Sequence, residues 1–335
     1  MQNILVIKLR YIGDVVLSTP LIRALRERYP HARITALVNP GTDEVLRHNP
    51  HVNDILLVPR AGWRDQLAFL RFLRAQRFDC VIDLTDGDRA AFLSAITGAP
   101  IRIGYNHERR WRGTLYSRCV KASYGSTHMV EYHGQALAEL GIVPDLQNPQ
   151  IFFTEAHQHA AERLMQETGL HDHKFVIFHP AARYWFKAWP VERFAQLSDR
   201  LYDRGYPVVV VGAAQDEPKA RALKTHTTRP IVSLVGRTRL LDLAALLQRC
   251  ALFIGNDAGP MHVAAAAGCP VVALFGPTDP RVWGPRGRHT TVVYKGVDCR
   301  GCFHPGCFRG EESCMKQISV EEVYAKAVAF LTEKG

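Results

Sequence analysis

Three short stretches place groups capable of chemistry directly after apolar, strand-like runs. The first is Lys8-Leu9-Arg10-Tyr11-Ile12-Gly13-Asp14, where one glycine allows a tight turn and a carboxylate follows at the start of a helix-like segment. Asp14 reads either as an N-cap, a position that Asp favours, or as a carboxylate aimed into a cleft and able to take a proton. The second is Ile254-Gly255-Asn256-Asp257-Ala258-Gly259-Pro260-Met261-His262, between an apolar strand and an Ala-rich helix. Its glycines permit close backbone approach, and the following helix offers free N–H groups and the positive end of its dipole, a site suited to a diphosphate. His262 on the first turn is either a structural histidine or part of that site. A related strand-to-turn transition, Phe275-Gly276-Pro277-Thr278-Asp279-Pro280, follows shortly after. The third stretch runs from His179 to Pro190, where Lys187 just before a helix is either a point charge for phosphate or an exposed surface ammonium.

None of these loops has the G-x-G-x-x-G spacing of a dinucleotide fold or the G-x-x-x-x-G-K-[ST] of a P-loop, so hydride transfer and P-loop hydrolysis lose their best support. What positions the loops is an alternation of strands and helices. Ile4–Lys8, Ile34–Val38, Ile55–Val58, Cys80–Leu84 and Ile101–Gly104 read as strands, with helix-like segments such as Asp14–Arg28 and Asp65–Gln76 between them. The pattern lapses over Tyr105–Gly125, then a helix is expected over Met129–Leu140 and a linker over Val143–Gln150. It resumes with a helix at Glu155–Thr168. Strands follow at Phe175–His179, Val208–Val211, Ile231–Leu234, Leu252–Gly255 and Val271–Phe275, and helices near Val191–Arg204, Glu217–His226, Leu240–Gln248 and Gly259–Ala267. Such alternation predicts α/β architecture with two parallel sheets covered on both faces. The expected domains are 1–150 and 151–335. The segment Ser319–Leu331, with Ser319 as N-cap and Glu322 three residues on, is expected to be a helix free to pack back on the first domain. Ligands in open α/β sheets bind beyond the carboxyl ends of the strands, which is where the three stretches fall.

Composition is that of a globular chain: 335 residues, 47% hydrophobic and 22% charged, with no run of the ~20 apolar residues that a membrane helix needs. The N-terminus enters directly into a strand-like run without the features of a secretory signal, which implies a cytoplasmic location. The formal charge of +10 points to an anionic partner, whether nucleic acid, phospholipid or a phosphorylated substrate. It divides evenly between the halves, but seven basic residues face one acid, Glu108, between Arg89 and Lys121.

The set Ile12-Gly13-Asp14, Lys187-Ala188-Trp189-Pro190, Asn256 to His262 and Gly276 to Pro280, in that order and at these separations, resembles glycosyltransferase family 9, the lipopolysaccharide heptosyltransferases. The resemblance extends from Met1 to the terminal helix. It implies a GT-B fold of two facing Rossmann-like domains, acceptor in the first and donor in the second, and inverting transfer of heptose from ADP-heptose to the lipid A-core acceptor without a cofactor. Carried over by position, it makes Asp14 the general base, Lys187 a ligand of the donor phosphates and Asp257 a partner of the transferred sugar. Ala258, Gly259 and His262 complete the pocket, Asp216 holds the ribose, and the Gly236-Arg237-Thr238 turn flanks the adenine. Relatives often carry hydroxyl residues before the lysine, where Ala182-Arg183 stand here. Arg60 and Arg64, around Trp63, are expected to grip the acidic acceptor, and with the Arg89–Lys121 run to hold a monomeric protein peripherally on the anionic inner face of the inner membrane. Nucleic acid is not an expected partner, since no recognition motif accompanies the charge. A transferase using another nucleotide sugar, or a non-hydrolysing epimerase, is the competing expectation, because fold does not fix function.

Eight cysteines are present, four of them bunched as Cys299, Cys302, Cys307 and Cys314. Four thiolates at short separations can close a tetrahedron around zinc. The spacing is not that of a standard finger, and packing thiols or a disulfide are the alternatives.

Overall fold

A strand buried on both faces of a parallel sheet needs a continuous apolar run, and Ile4-Leu5-Val6-Ile7 is one, each residue at most 2% exposed. The computed structural model describes the chain except residues 61, 144–145, 298, 300–301, 303–305 and 333–335, so Pro144 of the expected linker lies outside the described residues. Two compact units divide at Phe152 and Phe153.

The first unit runs β1 (Asn3–Lys8), α1 (Ile12–Val16), α2 (Thr19–Arg28), β2 (Arg33–Val38), β3 (Asp54–Leu57), α3 (Trp63–Ala75), β4 (Cys80–Asp83), α4 (Asp88–Thr97), β5 (Ile101–Tyr105), β6 (Arg118–Val120) and α5 (Met129–Ala138). Its strands pair in the order β3-β2-β1-β4-β5-β6, all parallel, with Ile4 beside both Ile34 and Cys80. The chain reverses its direction of travel between β1 and β4, and the loop carrying Asp14 leaves β1 at that switch point.

The second unit runs α6 (Glu155–Thr168), β7 (Val176–His179), α7 (Val191–Asp203), β8 (Val208–Val210), α8 (Glu217–His226), β9 (Ile231–Ser233), α9 (Leu240–Arg249), β10 (Leu252–Asn256), α10 (Gly259–Ala266), β11 (Val271–Phe275), α11 (Pro280–Trp283), β12 (Thr290–Tyr294), α12 (Cys314–Gln317) and α13 (Val320–Thr332). The order β12-β11-β10-β7-β8-β9 repeats the topology of the first sheet, again all parallel. The switch point here lies between β7 and β10, whose loops carry Lys187 and Asp257.

Several elements depart from the expected ones. The single segment Asp14–Arg28 is two helices, because Pro20 in the first turn of α2 has no N–H to continue a helix arriving from α1. Helix α4 is an addition. Its buried residues include Ala90, Ala91 and Ser94, small side chains that give little apolar contrast between faces, and it stops at Gly98 in the left-handed conformation (φ +66°). The short strands β6 and β12 extend one edge of each sheet. Helix α13 carries the expected capping box, Ser319 N–H donating to Glu322 Oε2 at 2.9 Å and Glu322 N–H to Ser319 Oγ at 3.2 Å. Its buried face (Val320, Val323, Ala327, Leu331) belongs to the core of the second unit with Phe178, Trp189 and Phe194.

Candidate active site

In the first unit, Asp14 sits at the third position of α1, whose N-cap is Tyr11, so the N-cap reading of Asp14 gives way to a capping-box one. Tyr11 N–H lies 3.4 Å from Asp14 Oδ2. The other carboxylate oxygen faces a cation: Lys8 Nζ is 3.4 Å from Asp14 Oδ1. Lys8 also donates to Leu84 O at 2.8 Å and reaches His133 Nε2 at 3.0 Å. The carboxylate is thus mostly buried and oriented from two sides, a requirement for a general base that must meet a hydroxyl in one geometry.

Behind it lies Asp83 at the end of β4, fully buried, accepting from Tyr116 Oη at 2.6 Å and from Thr85 N–H at 2.7 Å. Burial pushes its carboxyl up to about 6, against those hydrogen bonds and the Lys8 charge. Tyr124 lies within the fields of Asp14, Arg10 and Asp86; burial first, then the two carboxylates, raise its phenol.

Arg60 and Arg64 are both exposed. Arg60 follows β3 and donates to Pro40 O at 2.8 Å, and Arg64 in the first turn of α3 lies over the Trp63 ring at 5.3 Å. In the Arg89–Lys121 run, Arg89, Arg109, Arg110, Arg118 and Lys121 are exposed, as a basic surface requires, and Arg112 is not. Arg112 is 1% exposed and bonded to Asp86 (2.8 Å), Asp88 (3.2 Å) and Glu108 (2.9 Å). Arg110 pairs with Asp88, while Arg89 and Arg102 donate to backbone carbonyls. Asp86 and Asp88, just before the run in sequence, supply carboxylates to Arg110 and Arg112.

In the second unit, Lys187 and Asp257 meet. Nζ lies 2.6 Å from Asp257 Oδ2 across 70 residues of sequence. Lys187 ends a single 3₁₀ turn, Trp185–Lys187, and Asp257 precedes the N-cap of α10, Ala258, which is extended (φ −154°) and leads into Gly259 and Pro260. Neither strand nor helix alone could register two such loops. Asn256, fully buried at the end of β10, does so: its Oδ1 accepts from Trp189 N–H at 3.0 Å and its Nδ2 donates to Pro180 O at 2.9 Å. Trp189 in turn donates from its indole to Ile318 O at 3.0 Å. His262 is buried on α10.

Asp216 is half-buried after β8, its Oδ2 accepting from Ala213 N–H at 2.8 Å, close to Gly212, where a Cβ would meet that oxygen at 2.8 Å. Thr238 follows Gly236, which takes a positive φ of 72° and donates to Gly212 O at 2.9 Å, so both turns converge on Gly212. His179, buried at the end of β7, is held down to about 4 by burial, against the pull of Asp216. The structure therefore brings Asp257, Lys187 and the α10 N-terminus together at one switch point, with the Asp216 and Gly236 turns meeting at Gly212.

The clustered cysteines line one cavity of about 310 Å³ together with Trp185 and Phe186. They are thiols, as are the other four cysteines. Burial raises Cys314 to about 11, and burial and the neighbouring thiols raise Cys302. Among the described residues no three His, Cys, Asp or Glu side chains are disposed to hold a metal ion, and no helix is long and apolar enough to cross a membrane.

Two doubly wound sheets, one with a carboxylate and one with a lysine and a helix N-terminus at the switch point, define a transferase of the GT-B class. The profile of glycosyltransferase family 9 (heptosyltransferase) matches residues 66–311. The lipopolysaccharide heptosyltransferase 3 of Escherichia coli K12 is 33% identical over 287 residues, 83% of each chain. Among solved structures, a glycosyl transferase family 9 protein from Veillonella parvula superposes with a TM-score of 0.88 at 26% identity, over 99% of this chain and 97% of that one. The E. coli ADP-heptose lipopolysaccharide heptosyltransferase II gives 0.81 at 27%, over 100% and 99%. The chain belongs to glycosyltransferase family 9 and is a glycosyltransferase.

Proposed function

We propose that this enzyme transfers heptose from ADP-heptose to the lipid-linked inner core of lipopolysaccharide with inversion at the anomeric carbon. The first unit takes the acceptor and the second the donor. Asp14 removes the proton of the acceptor hydroxyl as its oxygen attacks the anomeric carbon. The bond from that carbon to the ADP oxygen breaks on the opposite face, and its electron pair leaves with the diphosphate. Lys187 and the N-terminus of α10 stabilise the charge that grows there, and Asp257 binds the sugar. Asp216 and Thr238 hold the nucleoside. Arg60 and Arg64 engage the anionic acceptor and keep the protein at the anionic membrane surface.

The observation that carries this reading is the Lys187–Asp257 pair beside the α10 N-terminus, a preset cation that a diphosphate can claim. The names of the relatives, lipopolysaccharide heptosyltransferase 3 and ADP-heptose heptosyltransferase II, supply the sugar, the nucleotide and the acceptor class. The test is a transfer assay with ADP-heptose and a heptose-deficient core acceptor, the anomeric configuration of the product read by NMR. Heptosylated product of inverted configuration is expected. A retained configuration overturns the one-step displacement, and transfer from a different nucleotide sugar alone overturns the donor.

A further inference from the structure

Lysine is almost never fully buried without partners, and Lys8 is 3% exposed. An ammonium has three N–H bonds, and Lys8 has three acceptors: Leu84 O, His133 Nε2 and Asp14 Oδ1. The ring of His133 has its orientation fixed from the far side, where Nδ1 lies 3.3 Å from Leu17 O. A carbonyl only accepts, so Nδ1 carries the ring proton and Nε2 turns its lone pair to Lys8. Burial, and then the Lys8 charge, hold His133 well below its ordinary value, which keeps the ring neutral. Burial also lowers Lys8, and Asp14 works against that.

We propose that Lys8 is the positioning residue of Asp14, fixing Oδ1 so that Oδ2 is the oxygen that receives the acceptor proton, and that His133 aims Lys8. This rests on the reading of Asp14 as the base. Among the described residues, only the long 3.4 Å contact from Tyr11 N–H occupies Oδ2. When Oδ2 takes the proton, Asp14 becomes neutral and Lys8 loses its ionic partner. Asp83, whose charge Lys8 also feels, remains as the compensating anion. Lys8 is thus flanked by Asp83 from β4, His133 from α5, Asp14 from α1 and Arg10 from the intervening loop.

The test uses the full-length enzyme with ADP-heptose and the core acceptor, measuring kcat, both KM values and the pH profile of kcat for Lys8→Met, His133→Leu and His133→Gln. Lys8→Met is expected to lower kcat ten- to hundredfold and to move its acidic limb to higher pH, with the KM for ADP-heptose within twofold. The limb shift must persist on an Asp83→Asn background. His133→Leu is expected to lower kcat several-fold, and His133→Gln, whose amide oxygen can accept from Lys8, to restore most of it. If Lys8→Met does not fold, the His133 pair decides alone: equal activities of the Leu and Gln variants overturn the proposal. It is also overturned by a folded Lys8→Met enzyme with wild-type kcat and pH profile. A folded Asp14→Asn enzyme of wild-type rate instead refutes the base reading itself.

Discussion

Replacing Asn256 by Ala separates the architecture of the proposed donor loops from their charges. In the structure this amide accepts from Trp189 N–H and donates to Pro180 O, both from the loop that carries Lys187. Deletion leaves a buried donor and a buried acceptor without partners, each costing about 1–3 kcal/mol, for a loss of about 2–6 kcal/mol. A mid-range loss of about 4 kcal/mol in a unit of this size lowers its melting temperature by roughly 10 °C. The loop is no longer registered on β10, so Lys187 is no longer held at the α10 N-terminus, and ADP should bind at least tenfold more weakly, a change of about 1.4 kcal/mol. Asn256→Asp makes a sharper version. It keeps the acceptor for Trp189 but sets an oxygen against Pro180 O unless the new carboxyl is protonated. Its folded value is then raised above the unfolded one, so stability is present at low pH and lost as pH rises. The assays are thermal melts at pH 4.5 and 7.5 and calorimetric titration with ADP. Wild-type melting and ADP affinity in Asn256→Ala would refute the reasoning.

Asp14→Asn should lower kcat by about 10²–10⁴-fold, the usual worth of general-base help, and leave the affinity for ADP within a few-fold; retention of more than a tenth of the rate in steady-state assays counts against it. Lys187→Ala removes the cation beside Asp257 and should weaken ADP binding measurably by calorimetry, with unchanged affinity and transfer telling against the pocket. Charge removal at Arg60 and Arg64 should raise KM for the lipid acceptor and spare that for the donor, read from initial rates with each substrate varied. His179 is neutral when folded and charges more readily when unfolded, so its contribution is intact above pH 6.5 and is lost as pH falls toward about 4. Urea unfolding at pH 4.5 and 7 should show that difference shrink in His179→Gln, and an unchanged pH dependence would assign it elsewhere.

The loops that hold Asp14, Lys187 and Asp257 could be read from the sequence because each follows an apolar run that only a buried strand explains. What could not be read is what joins them. Lys8 and His133 meet across 125 residues and Asn256 and Trp189 across 67, and no local pattern reports such a pairing. The signals present were a lysine closing an apolar strand and an asparagine closing another, polar residues where burial has to be compensated. Arg112 failed for a related reason, since its partner Asp86 lies 26 residues back, outside the basic window. Helix α4 was hidden by its small side chains, and the break before α2 was marked by Pro20 all along.

The tie between Trp189 and Ile318 bears on how the protein is made. Arg193 also donates to the carbonyls of Lys316 and Ile318, and Gly276 has no Cβ where Met315 and Cys314 lie against it. The loops on which Lys187 and Gly276 stand are therefore braced by Cys314–Ile318, a segment that follows every strand of the second sheet. The first unit is one continuous stretch and can fold while synthesis proceeds. The second must wait for Ile318, so a nascent or truncated chain ending before that residue has its whole second sheet and still lacks the brace of the Lys187 loop.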